Sequence, residues 1–119
     1  MNWYLTKIVF RIICGDGLHA AQFDEQLRLI EASGEDEALE KARSLGRNEQ
    51  ETFYNLKQQL VQWQFVNVSE LYRLSELIDG AELYSRIKEV DNGDAYTTFV
   101  HLKAEAIQKK ESRQLLNLI

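Results

Sequence analysis

The chain contains no proline at all, one cysteine and only six glycines. The missing proline and scarce glycine leave no composition from which a stiff or flexible interdomain linker is ordinarily built. A single thiol excludes an internal disulfide and fits a reducing compartment. Two histidines, at 19 and 101, are far apart in sequence and offer little for a multi-histidine metal site. No apolar run approaches the roughly 20 residues that span a bilayer. The opening MNWYLTKIVFRIICG is broken by Lys7 and Arg11, lacks a convincing cleavage site, and so does not read as a secretory signal. A cytoplasmic protein with no membrane association is expected. Net charge is −5 and the basic residues are scattered, with Lys109, Lys110 and Arg113 the nearest to a patch. That balance argues against nucleic acid as a partner, because phosphate binding rests on clustered Lys and Arg.

What is present is an ordinary globular composition, 45% hydrophobic and 28% charged over 119 residues. It suits one domain with a real core. The stretch Leu60–Leu74, LVQWQFVNVSELYRL, carries one of the two tryptophans and is apolar on both faces for part of its length. It predicts an inner strand of a covered sheet, with Val61, Trp63 and Phe65 on one face and Val66 and Val68 on the other. Leu71 and Leu74 leave the Trp63 face, which predicts a bulge or bend near Ser69. Trp3–Cys14 is a second two-faced strand: Tyr4, Ile8, Phe10 and Ile12 against Trp3, Leu5, Val9 and Ile13.

Gly15-Asp16-Gly17 breaks that strand. Phe23–Ala32 then alternates, Phe23, Leu27 and Leu29 on one side and Asp24, Gln26 and Arg28 on a wet side, as a strand antiparallel to the first. Ser33 is the expected N-cap of a helix, with Asp36 in the capping-box position and the acids Glu35, Asp36 and Glu37 at the positive end of the helix dipole. Ala38, Leu39, Ala42, Leu45 and Gly46 form its buried stripe, and the small Ala42 and Gly46 permit close approach to a sheet. The helix ends near Gly46 or runs to Asn55. Further on, Asp79-Gly80 marks a turn and Ala81–Val90 a strand, followed by an Asn92-Gly93 hairpin, a strand Tyr96–Leu102 and a terminal helix Ala104–Leu116. A single helix from Ala95, through Phe99, Leu102 and Ala106, is the competing reading. The order β-β-α-β-β-β-α predicts an α+β fold: a mostly antiparallel sheet of four to five strands with one main helix packed on it.

Three segments together, NWYLTKIVFRI, VQWQFVNVSELYRL and DGAELYSRI, resemble a family of small bacterial proteins of uncharacterised function. The carrying motifs are WY-x-x-K at Trp3, Tyr4 and Lys7, W-x-F-x-x-V at Trp63, Phe65 and Val68, and D-G-x-E-x-Y-S-R at Asp79, Gly80, Glu82, Tyr84, Ser85 and Arg86. The resemblance implies a family-like core over about residues 2–90, with 91–119 an extension of the same domain. It implies no activity, cofactor or catalytic residue.

Chemistry is sparse. Cys14, Asp16 and His19 have the types for a Cys–His nucleophile pair or part of a metal site, but a turning loop with a packed thiol accounts for them more simply. The acids Glu35, Asp36, Glu37 and Glu40 suit a helix start better than a cation, and Asp91 and Asp94 suit a turn. On a strand, Tyr84, Arg86 and Lys88 would form an aromatic and cationic row, which with Trp3 is the candidate site for a small anionic ligand or a protein partner such as a toxin to be neutralised. The plainer alternative pairs Arg86 with Glu25 or Glu70. No cofactor, metal or catalytic residue is expected. A sheet with two partly apolar faces and one helix to cover them points to a non-enzymatic domain that self-associates through its sheet, as a homodimer.

Overall fold

The computed structural model describes residues 1–109, which fall into two compact units, Met1–Ser85 and a second beginning at Arg86. The first holds β1 (Asn2–Cys14), β2 (Gln22–Ala32), α1 (Glu35–Asn48), β3 (Glu51–Tyr54) and β4 (Leu60–Arg73). The second holds α2 (Gly93–Gln108). The expected end of a terminal helix at Leu116, and Lys110, Arg113 and Leu115, lie outside the described residues.

The four strands form one antiparallel sheet in the order β2-β1-β4-β3. The two strands read as two-faced, β1 and β4, are the inner ones. Tyr4, Ile8 and Phe10 of β1 join Ile30, Ala32, Ala38 and Ala42 in a buried core against α1. Thr6 shares that face of β1 and is fully buried; its Oγ1 donates to the Arg28 carbonyl at 3.1 Å, so the hydroxyl carries no desolvation penalty.

β4 keeps its apolar residues on the α1 side by two bulges. Lys7 pairs with Glu70 and Ile8 with Val68, skipping Ser69; Val9 pairs with Asn67 and Phe10 with Phe65, skipping Val66. Each extra residue turns a step of two into a step of three, so Trp63, Phe65, Val68 and Leu71 all pack on the core. The bulge expected near Ser69 is there. The second one, at Val66, moves Val68 off the face that strict alternation assigns it. The Gln50 side chain accepts from the Phe65 amide at 2.9 Å beside that irregularity.

α1 buries Ala38, Ala42 and Gly46, with Leu45 partly buried, as its stripe predicts. Its N-cap is Gly34 rather than Ser33. No side chain caps it, and the Ser33 hydroxyl donates instead to the Glu37 carboxylate. The helix stops at Asn48 and the chain turns into the four-residue β3, a strand unforeseen from the sequence.

Two other expectations fail. Ala81–Val90 pairs with no strand in the described residues and has no regular structure. Tyr96–Leu102 is helical: Asn92 does not turn a hairpin but caps α2, its Oδ1 accepting from the Ala95 amide at 3.0 Å. The single-helix alternative is the observed one, because Asn serves a helix N-cap as readily as a turn.

At Gly46 a Cβ would lie 2.3 Å from Phe65 Cδ1, well inside contact distance. Alanine ordinarily favours a helix over glycine by about 1 kcal/mol. Here Gly46→Ala is expected to destabilise by about 1–3 kcal/mol through overpacking, and to cost less in a Phe65→Leu background. Urea unfolding of the single and double variants checks this.

Candidate functional site

α1 packs on β1, β2 and β4, and so covers one face of the sheet. On that face the middle of β2 is polar. Gln26 donates to Asp24 at 2.6 Å, and Arg28 donates to Gln26 at 2.9 Å and to Glu49, at the end of α1, at 2.7 Å. The consequence falls on the other side of the strand. Phe23, Leu27 and Leu29, the row expected to face the core, point away from α1 and remain 52%, 48% and 47% exposed. The alternation is the expected one, but its apolar side is the one turned away from α1. Only Ile30 and Ala32, at the end of β2 next to α1, enter the core.

Across the sheet, Leu29 lies opposite Leu5, Leu27 opposite Lys7, Glu25 opposite Val9 and Phe23 opposite Arg11. The Arg11 guanidinium stands 5.6 Å from the Phe23 ring centroid. At the centre of this open face, Lys7 Nζ meets Glu70 at 2.8 Å and Glu25 at 3.8 Å. Glu70 also accepts from the Tyr72 hydroxyl at 2.6 Å and from Tyr84 at 3.5 Å, and the two tyrosine rings meet edge-on at 5.5 Å.

These contacts tie three groups together. The hydrogen bond from Lys7, then that from Tyr72, holds the Glu70 carboxyl below the usual carboxylate range. The same bond to Glu70 raises Lys7, outweighing its desolvation. Donating to Glu70 pushes the Tyr72 hydroxyl up to about 12. Sequence reading included Lys7 in a motif but gave it no partner. Its pairing with Glu70 depends on the bulge count in β4, which alternation alone does not supply.

The sequence-derived candidates are dispersed. Tyr84 belongs to the first unit, in the cluster just described, while Arg86 and Lys88 belong to the second. The strand from which that row was expected does not form over Ala81–Val90. Lys88 Nζ stands 4.9 Å from the Tyr96 ring within its own unit. Glu25 and Glu70, offered as partners for Arg86, are engaged by Lys7. Trp3 sits on the open face, opposite Glu31.

Cys14 and His19 do come together, at the end of β1, where Gly15 and Gly17 turn the chain at positive φ. They are not arranged as nucleophile and base. His19 Nε2 accepts from the Cys14 backbone amide at 3.0 Å, and Nδ1, 2.8 Å from the Ala20 carbonyl, carries the proton. The Cys14 sulfur faces Gln59 and Asn55 instead. The imidazole is a clasp for the loop. No helix among the described residues is long and apolar enough to cross a membrane.

The first unit thus has an α+β fold built on a four-stranded antiparallel sheet with one helix across one face. Residues 3–85 match the model of DUF4288, a domain of unknown function, and the chain belongs to that family. The match ends where the first unit does. No curated protein and no solved structure matches significantly.

The pH dependence follows from the signs. The Glu70 contribution is present above its ordinary 4.5 and lost as pH falls through its lowered value. That of Lys7 is present below 10.5 and lost as pH climbs through its raised value. That of Tyr72 is present below 10.0 and lost between there and about 12. Tyr72→Phe is therefore expected to lower the melting temperature at neutral pH, and the gap from wild type to narrow as pH rises through that interval. Thermal melts across pH test it; a gap independent of pH would remove Tyr72 from the network.

Proposed function

We propose that the domain is a cytoplasmic, non-enzymatic interaction module that self-associates as a homodimer through the β2 side of its sheet. The observation that carries this is the outward row Phe23, Leu27 and Leu29, half-exposed beside the partly exposed Val9 and Trp3. Setting two such rows side by side buries part of the exposed half of each side chain, which is favourable at roughly 25 cal/mol per Å². A row of this kind is the ordinary mark of a contact surface.

A second copy is the favoured occupant because the row carries both signs of charge. Lys7 and Arg11 stand among it together with Glu25 and Glu31. An isologous contact sets one patch beside its own rotated image, so a patch with both signs is able to bring a cation of one copy to a carboxylate of the other. A foreign acidic or basic partner would leave half of these charges opposed.

Light scattering after size-exclusion chromatography over a range of micromolar concentrations is expected to give twice the 13.9 kDa chain mass. Leu27→Glu, at a half-exposed position, is expected to return the protein to a monomer while leaving its melting temperature near that of the wild type's folded unit. A wild-type protein that stays monomeric throughout overturns the proposal.

A further inference from the structure

β2 is not only the apolar strand but an edge of the sheet, and its free side can be read atom by atom. The Arg28 carbonyl accepts from Thr6 Oγ1 of β1, and so points inward to β1. The Glu31 carbonyl accepts from Lys41 of α1, not from β1, and so points outward. In an antiparallel strand the N–H and C=O of one residue point to the same side and successive residues alternate. Phe23, Glu25, Leu27 and Leu29 therefore direct both backbone groups to the free edge, where among the described residues no strand pairs with them and no loop or turn backbone bond reaches them. Pairing with β1 runs without a register shift over eleven residue pairs, Asn2 with Ala32 through Ile12 with Gln22. Neither proline nor a bulge blunts this edge, the devices that commonly keep one from pairing.

We infer that β2 pairs antiparallel with β2 of a second copy about a two-fold axis at Gln26, joining the two sheets into one. This rests on the self-association reading and specifies the contact it uses. Three facts select the register. Pairing an odd with an even residue would set one copy's apolar row on the other's polar face, so only like parities are compatible. An axis at Glu25 would place two like carboxylates opposite each other. An axis at Leu27 would place Asp24 against Ile30, Glu25 against Leu29 and Phe23 against Glu31, three charged-against-apolar pairs within β2 where an axis at Gln26 leaves one, Glu25 against Leu27. With the axis at Gln26, Asp24 meets Arg28 of the second copy, Phe23 meets Leu29, Glu25 meets Leu27, and the two Gln26 amides face each other. The outward residues Phe23, Glu25, Leu27 and Leu29 then form the hydrogen-bonded pairs, as their orientation requires. The apolar rows of the two copies become neighbours across the seam, which supplies the lateral packing that an edge strand lacks.

Site-directed cross-linking reads the register. In a Cys14→Ala background, Gln26→Cys places two thiols in a non-hydrogen-bonded pair, where Cα atoms lie about 4.5 Å apart, within the span a disulfide bridges. Mild oxidation is expected to convert nearly all of the protein to a covalent dimer. Asp24→Cys alone would hold its two thiols about 13 Å apart and should not link, whereas a mixture of Asp24→Cys and Arg28→Cys should link heterologously. Circular dichroism of each variant establishes that it is folded. A dimer by light scattering in which Gln26→Cys fails to link, or Asp24→Cys links equally well, overturns this register and leaves self-association standing. A monomer by light scattering overturns both.

Discussion

The contact between the Gly46 backbone and the Phe65 ring sets how the rest of the first unit is arranged. A helix carrying side chains at Ala38 and Ala42 no larger than a methyl, and none at Gly46, can lie directly on the aromatic face of the sheet. The ring is also packed edge-on against Phe10, with centroids 6.2 Å apart, and Phe10 meets Trp63 at the same distance. One close approach therefore fixes α1 over β1 and β4 together. Trp63 and Phe65 reach that face by alternation, but for Val68 and Leu71 to join them β4 has to abandon it. The bulges at Val66 and Ser69 follow from that need: without them Val68 and Leu71 would not share a face with Phe65.

The long elements were legible because each repeats its signal many times. β1 has apolar residues on both faces and has a neighbour strand on both sides. α1 was legible from its stripe of small residues, though its cap was not, since Ser33 and Gly34 both begin helices acceptably. β3 has four residues, too few for a period to emerge, and exists because β4 offers it an edge. The stretch from Ala81 has the alternation of a strand but, among the described residues, no partner strand, which illustrates how weak strand propensity is without a ladder. Asn92-Gly93 carries a signal shared by two structures, and the residues after it decide. Ala95, Phe99 and Ala106 recur at helical spacing, and a helix forms.

The candidate surface was half legible. The separation of Phe23, Leu27 and Leu29 from Asp24, Gln26 and Arg28 is a property of the strand alone, but which set faces the helix is not. That choice is made by neighbours distant in sequence. Arg28 reaches the Glu49 carboxylate and Thr6 donates to the Arg28 carbonyl, while Ile30 and Ala32, of the same parity as Arg28, enter the core beside Ala38. Parity then forces Leu27 and Leu29 outward. A slip of one residue would bury those leucines and expel Ile30 and Ala32, while drawing Glu25 and Glu31 under the helix, where unpaired carboxylates are expensive.

The same logic bears on Lys7. An ammonium in the middle of an inner strand is tolerable only when its charge is met, and here two carboxylates meet it from the strands on either side, Glu25 from β2 and Glu70 from β4. Glu70 is bound in turn by Tyr72, so its oxygens are occupied, whereas Glu25 is the more exposed and the looser partner. The open face is consequently rigid and polar toward β4 and apolar toward β2. On such a graded surface, burial is most favourable on the β2 side, where no fixed hydrogen bond has to be broken. That side ends at an edge strand whose outward backbone groups face no partner strand among the described residues, so apolar area and free main-chain groups coincide on β2.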